Sequence, residues 1–449
     1  MTKTYDLIVI GGGTAGNGVA RMAADASWSV ASIDSEPHGG TCALRGCDPK
    51  KMLVAVTEGV EWAENMEGKG LEAQPSVNWP DMIAFKRSFT DDMPPRIEGG
   101  MEKAGIDVLH GEVRFTGSDT IELNGETLTA KHFHIATGAR PMTLNIPGEE
   151  HLTTSTEFLE LPDRPDRIAF VGGGFIAMEF AHIVKRAGSS EVTVLEMADR
   201  PLGNFDPDLV EMLVEGTEEL GIDLRTKAKV TKIEKQGDEF TVTVERADGT
   251  EIVTCDLVVH GTGRVPNIDG LNLEAAGVEY SRRGINVSDA MRTTNPAIFA
   301  AGDCADSGPK LTPVSAFEGR VAGKNLLAGE DERTVDYPPI PSVVFTLPMV
   351  ATVGLSEAAA REQGLKFDTH FEKTGDWYSS LRVGAKHTGF KVLVEEGSGQ
   401  ILGAHLIGPG SEEQINLFAM AMGAGQTANQ IKAMIFAYPS YASDIGSMV

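Results

Sequence analysis

The feature that most restricts what this chain can fold into is a glycine-rich turn that occurs twice in the same setting. Tyr5 to Ile10 (YDLIVI) is a short apolar run rich in β-branched residues, followed at once by Gly11, Gly12, Gly13, Thr14, Ala15 and Gly16 and a small-residue stretch to about Ala26. A second apolar run, Trp28 to Ile33, ends at Asp34, 23 residues after Gly11. Strand, turn, helix, strand and terminal acid together make the dinucleotide fingerprint: Gly11 allows the tight turn, Gly13 lets backbone approach a pyrophosphate, and Gly16 lets helix pack on strand. The phosphates then face a positive helix N-terminus, and Asp34 accepts from ribose hydroxyls.

The pattern returns 161 residues later. Arg167 to Val171 leads into Gly172, Gly173, Gly174, Phe175, Ile176 and Ala177, then a helix to about Ala187, and the run Glu191 to Leu195 ends at Glu196. Ala177 takes the third glycine position, which the fingerprint permits. Two Gly-centred turns, Ile135 to Pro141 (IATGARP) and Gly261 to Asn267 (GTGRVPN), flank this second unit, and Ile298 to Asp303 (IFAAGD) is a later apolar strand ending in Gly-Asp, where a carboxylate can bond a chain of hydroxyls. The first site is therefore read as discontinuous, with the second domain inserted into it. Pro338 to Pro341 (PPIP) marks a further boundary; beyond it Val343 to Gly354, Phe390 to Glu395 and Ile401 to Gly408 read as strands, and Glu412 to Ala424 and Ala428 to Ala437 as helices. The expected fold is α/β, with two Rossmann-like dinucleotide-binding domains, the second inserted in the first, and a C-terminal α+β dimerisation domain. The expected ranges are 1–148, 149–268, 269–337 and 338–449.

Gly39 to Lys51 reads GGTCALRGCDPKK and holds two of the four cysteines, Cys42 and Cys47. On an ideal helix they would point about 140° apart, whereas a disulfide needs Cβ atoms about 4 Å apart. The segment must bend, and Gly46 supplies the freedom to do so. Arg45, Lys50 and Lys51 favour thiolate and Asp48 opposes it. Inert thiols or half of a zinc site are the alternatives, but zinc would need two more ligands, and Cys255 and Cys304 lie far along the chain. No metal site is read from the sequence.

The 449 residues suffice for about three domains, and a formal charge of −26 argues against nucleic acid and anionic membranes. MTKT passes straight into an apolar strand without a basic, apolar leader, and no run approaches the roughly 18 apolar residues of a membrane span. A cytoplasmic location is expected, where a persistent disulfide serves catalysis more often than structure.

With these motifs in this order, the chain resembles the flavin-dependent pyridine nucleotide-disulfide oxidoreductases, the family of glutathione reductase, dihydrolipoamide dehydrogenase and mercuric reductase. The resemblance implies that Gly11, Gly13, Gly16 and Asp34 bind the ADP half of FAD, that Asp303 holds its ribityl chain, and that Thr41, Lys51, Thr137, Gly138, Gly263, Arg264 and Gly302 are cofactor-binding. It implies that Gly172, Gly174, Ala177 and Glu196 bind NAD(P)H. It implies that Cys42 and Cys47 are a redox-active disulfide, Cys47 against the flavin and Cys42 toward substrate, and that Lys51 approaches the flavin paired with Glu179. A homodimer whose C-terminal domain completes the partner's active site follows from the same resemblance.

Several positions depart from the family pattern, roughly GGTCxNxGCxPSK for the disulfide. Leu44, Asp48 and Lys50 replace its Asn, apolar residue and Ser. Where the family carries His-Pro-Thr with Glu five residues after the His, this chain has Tyr438-Pro439-Ser440-Tyr441-Ala442-Ser443-Asp444. Tyr438 takes the His position and Ser443 the Glu position; Asp444 is one residue out of register. A tyrosine near its usual pKa of about 10 is a poor base at neutral pH. Glu196, followed by Met197, suits the free ribose hydroxyls of NADH over NADPH, although Arg200 is close in sequence. The expected activity is NAD(P)H oxidation through FAD and the Cys42–Cys47 disulfide to a small disulfide. The alternatives are a quinone or metal-ion acceptor, or a subunit of a larger complex resembling dihydrolipoamide dehydrogenase.

Overall fold

The computed structural model describes residues 3–72 and 75–449, so Met1 and Thr2 of the MTKT start lie outside the described residues. The backbone forms two compact units, one of Met1–Lys50, Ala84–Met142 and Gly263–Tyr337, the other of Lys51–Ile83, Thr143–Thr262 and Pro338–Val449.

The first unit is built on a sheet in which β1 (Lys3–Ile10), β2 (Val30–Asp34) and β3 (Ile106–His110) run parallel on one side. Strands β4 (Val113–Gly117), β5 (Thr120–Leu123) and β6 (Glu126–Ile135) complete the order β3-β2-β1-β6-β5-β4. β6 is parallel to β1 and antiparallel to β5. Residues along β1 alternate between two cores: Ile8 and Ile10 join Ile33, Phe115 and Phe133, whereas Leu7 and Val9 join Val19, Ala20 and Ala23 of α1 (Thr14–Asp25). A strand covered on both faces must be apolar at successive positions, which is why YDLIVI reads as a run rather than an alternation. Each such side chain contributes roughly 1.5–3 kcal/mol by burial. The strand Ile298–Ala300 returns from far along the chain to pair parallel with β6, closing the discontinuous first domain.

In the second unit a four-stranded sheet runs Ile222–Arg225, Glu191–Leu195, Arg167–Val171, Leu257–His260, with all three pairings parallel. The same alternation recurs: Ile168 and Phe170 face one core with the helix Phe175–Arg186, while Ala169 and Val171 face another with Val242 and Val258. The C-terminal part is a five-stranded antiparallel sheet, in the order Ser342–Val344, Val350–Gly354, Ile401–Ile407, Gly389–Glu395, Phe367–Lys373, with the helix Ser411–Gly423 on its core. The run Val343 to Gly354, expected as one strand, is two that pair with each other across Leu347 and Pro348. The expected helix from Ala428 stops at Lys432. Among the described residues no helix is long and apolar enough to cross a membrane.

Candidate active site

In the first unit, Gly11 has φ +112°, and a Cβ there would lie 2.2 Å from Ala136 O. At Gly16 a Cβ would lie 2.0 Å from Gly11 O. Both contacts are with backbone, so only glycine fits. Asp34 closes the turn: its Oδ2 accepts from Gly12 N at 2.7 Å and its Oδ1 from Glu36 N at 2.9 Å. The second unit repeats this wiring, with Glu196 Oε2 accepting from Gly173 N at 2.5 Å and Oε1 from Ala198 N at 2.6 Å. Gly172 (φ +99°) plays the part of Gly11, its Cβ position 2.6 Å from Gly261 O. Ala177 is tolerated because its methyl faces Gly261, where a second Cβ would come within 2.6 Å.

The helices that follow these turns begin just after Gly13 and Gly174, and neither N-terminus has a side-chain cap. By contrast Asp206, Ser356 and Thr427 cap other helices of this chain. A helix start without a side-chain cap leaves first-turn N–H groups for an anion. The N-termini of the two twelve-residue helices, each following a glycine-rich turn closed by an acid, therefore suit the phosphates of a dinucleotide.

Other predicted residues gather at the first turn. The ribbon Ala139–Pro141 pairs antiparallel with Arg264–Pro266, which brings Thr137 and Gly138 to Gly263 and Arg264: Asn267 N donates to Gly138 O at 2.9 Å and Met142 N to Gly263 O at 3.1 Å. The Arg264 guanidinium hydrogen bonds Ala139 O. Gly302 (φ +77°) packs 3.3 Å from Ala15 through its Cβ position and donates to Glu318 Oε2 at 2.8 Å. Burial raises the pKa of Asp303, while Lys310 and Arg264 hold it down.

The two cysteines stand at a helix break. α2 (Gly40–Arg45) ends at Gly46, and α3 (Cys47–Asn65) begins with Cys47. Gly40 (φ +69°) lies so close to Gly13 that a Cβ would be 2.6 Å from its Cα, which locks the start of α2 onto the dinucleotide turn. Thr41 follows on the exposed side. A Cβ at Gly46 would lie 3.0 Å from Thr41 O, so the bend also requires a small residue there. Both cysteines are free thiols, Cys42 half-buried and Cys47 exposed. The interaction between the two thiols lowers the Cys47 pKa to about 6 and pushes Cys42 up. Thr312 Oγ1, 3.7 Å from Cys47 Sγ, and the Lys50 charge favour the Cys47 thiolate further, against its desolvation. Cys304 is buried, and burial raises its pKa.

In the second unit Glu179 is fully buried and its Oε1 accepts from Phe345 N at 2.8 Å. The Lys51 ammonium sits 4.6 Å from the centroid of the same Phe345 ring and 2.5 Å from Glu58 Oε1. Thr312 beside Cys47 in the first unit, and Phe345 and Glu58 beside Lys51 in the second, are contacts that the motifs did not name. Arg200 is engaged by carbonyls, donating to Phe205 O at 3.0 Å and Gly203 O at 2.7 Å. Tyr438 is 78 % exposed, with its ring 6.5 Å from that of Tyr378. Ser443 spends its hydroxyl on Ser440 O at 2.5 Å, and Asp444 is half-buried.

Residues 5–319 match the family described as pyridine nucleotide-disulphide oxidoreductase, and residues 340–449 match the dimerisation domain of that family. A mercuric reductase of Bacillus cereus is 34 % identical over 98 % of this chain and 70 % of its own length. A glutathione reductase of Burkholderia cepacia is 33 % identical over 98 % and 97 %. The solved structure of the HOCl-induced flavoprotein disulfide reductase RclA from Escherichia coli is 27 % identical and superposes with a TM-score of 0.89 over 99 % of both chains. The chain therefore belongs to the pyridine nucleotide-disulphide oxidoreductase family and is an FAD- and NAD(P)H-dependent enzyme of that class.

Proposed function

We propose that the enzyme takes electrons from NADH and delivers them, by way of FAD and the Cys42–Cys47 pair, to a small disulfide. The observation that carries this reading is the pair of free thiols on either side of the Gly46 break, with Cys47 favoured as thiolate and Cys42 as thiol. FAD, when bound, supplies the two-electron link between nicotinamide and sulfur. The Gly11 turn, Asp34, Thr41, Thr137, Gly138, Gly263, Arg264, Gly302 and Asp303 would hold it, with Lys51 and Glu179 meeting at Phe345. The Gly172 turn, Ala177 and Glu196 would hold NADH. The balance is closed: NADH and one proton become NAD⁺ as the S–S bond opens to two thiols, and those thiols re-form the bond as an external disulfide leaves as two thiols. Cys42, favoured as thiol, keeps its proton until it attacks, and Tyr438 of a second copy would stand where the family base stands.

A homodimer is proposed on the dimerisation domain and on exposed apolar side chains in it: Ile435 is 99 % exposed and Met420 71 %. A second reading, reduction of a metal ion, is favoured by Tyr438 and Ser443 in place of an acid-base pair, with Ser443 already committed to its own turn. The mercuric reductase relative and a solved Cu(II) complex of RclA lend it support. Assaying NADH oxidation against a panel of small disulfides, quinones and metal salts separates the two readings; activity only with metal salts or quinones overturns the disulfide acceptor.

Two outcomes follow from the site. With Arg200 held by carbonyls and Glu196 aimed at the ribose, kcat/KM for NADH is expected to exceed that for NADPH by at least about tenfold, the worth of roughly 1.4 kcal/mol; equal values contradict the role of Glu196. In the reduced enzyme, thiolate absorbance at 240 nm should rise through about pH 6. Raising pH through that value removes the Cys47 proton. In Cys42→Ala, which lacks the donor, the step should move up toward the ordinary thiol pKa of about 8.5; an unmoved step contradicts the proposed pairing.

A further inference from the structure

Beyond the redox site, the first unit assembles a cluster that no motif announces. His38 lies between β2 and α2, Glu98 on the helix Met93–Lys103, and His110 ends β3. Pairing of Asp34 with His110 across β2 and β3 carries the last of these to the others. One carboxylate oxygen, Glu98 Oε1, is 3.5 Å from His38 Nδ1 and 3.4 Å from His110 Nε2. All three donor atoms lie within 4.8 Å of one another.

The His38 side chain is fully buried, and its Nδ1 makes no hydrogen bond. Its other nitrogen, Nε2, lies 3.2 Å from Ser32 Oγ. The tautomer with its proton on Nε2 can donate to Ser32, which leaves a bare Nδ1 lone pair facing a carboxylate oxygen. In that tautomer two acceptors face each other at a distance too long for a hydrogen bond, with Glu98 Oε1 also accepting from His38 N at 3.2 Å, and a buried polar atom left unmet is costly. A tetrahedral ion with ligands at about 2.0–2.1 Å requires donor atoms about 3.3–3.4 Å apart. The two separations to Glu98 Oε1 are close to that edge. The His110 side chain is 50 % exposed, so a cation has a way in from solvent and a fourth position open to water.

We propose that His38, Glu98 and His110 bind a divalent cation of the zinc class, with water as fourth ligand. Two imidazoles and a carboxylate suit zinc-like ions better than magnesium or calcium, which prefer all-oxygen shells. The site is separate from the thiols, although His38 backs onto the dinucleotide turn: a Cβ at Gly12 would lie 2.5 Å from its ring. A bound ion would tie β2, β3 and the helix of Glu98 together beneath that turn.

The test uses the FAD-loaded full chain carrying Cys42→Ser and Cys47→Ser, so that the thiols take up no metal, and the same comparison is run in the parent enzyme in case that background folds poorly. Zinc content is measured after dialysis against micromolar zinc chloride, and cobalt(II) is added separately to read visible bands beyond the flavin spectrum. A single zinc per chain is expected, with cobalt bands of a tetrahedral N/O site. Glu98→Gln and His110→Ala should each weaken zinc binding at least about tenfold, the lower end of what loss of even an outer-shell partner costs. They should also abolish the zinc-dependent rise in melting temperature that ligand linkage requires, with flavin content unchanged. No uptake, or uptake indifferent to both substitutions, overturns the site.

Discussion

Cys47→Ser is expected to lower reduction of small disulfides by a factor on the order of 10³ or more, the scale seen when a reacting group is removed from a unit that acts together. Flavin content should stay at the parental level, because the Gly11 turn and Asp34 are untouched. Cys42→Ser should be as damaging to disulfide turnover for a different reason: a thiolate remains at Cys47, but no partner is left to exchange with substrate. Quinone reduction, which needs no sulfur, should stay within a few-fold of parent in both variants. The check is a steady-state comparison of the two acceptor classes in the three proteins. Full disulfide activity in either variant would remove the thiol pair from the route.

Gly11→Ala should produce a protein that folds but keeps little flavin. The new methyl would sit 2.2 Å from Ala136 O with φ at +112°, so it meets backbone that cannot rotate away and a conformation that side chains resist. Left-handed strain of about 1–2 kcal/mol and overpacking of about 1–3 kcal/mol together predict flavin affinity weaker by roughly 30- to 4,000-fold for a loss of about 2–5 kcal/mol. Gly18→Ala, on the exposed side of the same helix with nothing within 4 Å of its Cβ position, is the matched control and should retain flavin. Absorbance at 450 nm relative to 280 nm after desalting, with circular dichroism to confirm the fold, decides it; parental flavin content in Gly11→Ala would show that the turn is not where the dinucleotide binds.

What was legible in the sequence is what local chemistry dictates. Gly11, Gly16 and Gly172 are forced by backbone contacts one turn away or across a neighbouring strand end, and Asp34 and Glu196 bond the middle glycine of their own turns. Such constraints leave a fixed spacing, and the spacing could be read. Gly46 was readable for the same reason, since a bend between two cysteines needs a residue that can pass close to Thr41.

Contacts between distant segments left no such trace. Phe345, which receives both Glu179 and Lys51, is separated from them by more than a hundred residues. His38, Glu98 and His110 meet only because β2 and β3 pair and one helix lies across them. Tolerance of Ala177 depends on Gly261, a residue the fingerprint does not include. The helix expected to reach Ala437 ends at Lys432, beyond which Met434 and Ile435 are exposed, with no core to hold a further turn.

The central claim is that Cys42 and Cys47 interconvert between disulfide and dithiol as NADH is consumed. Trypsin cuts after Arg45, between the two, so differential alkylation followed by mass spectrometry reads the pair directly. In the air-oxidised, FAD-loaded enzyme the account predicts a cross-linked pair of peptides carrying Cys42 and Cys47, unlabelled, with both residues becoming alkylated after anaerobic addition of NADH. Buried Cys255 and Cys304 should stay unlabelled in the folded protein throughout. Full alkylation of Cys42 and Cys47 before any reductant is added would contradict it.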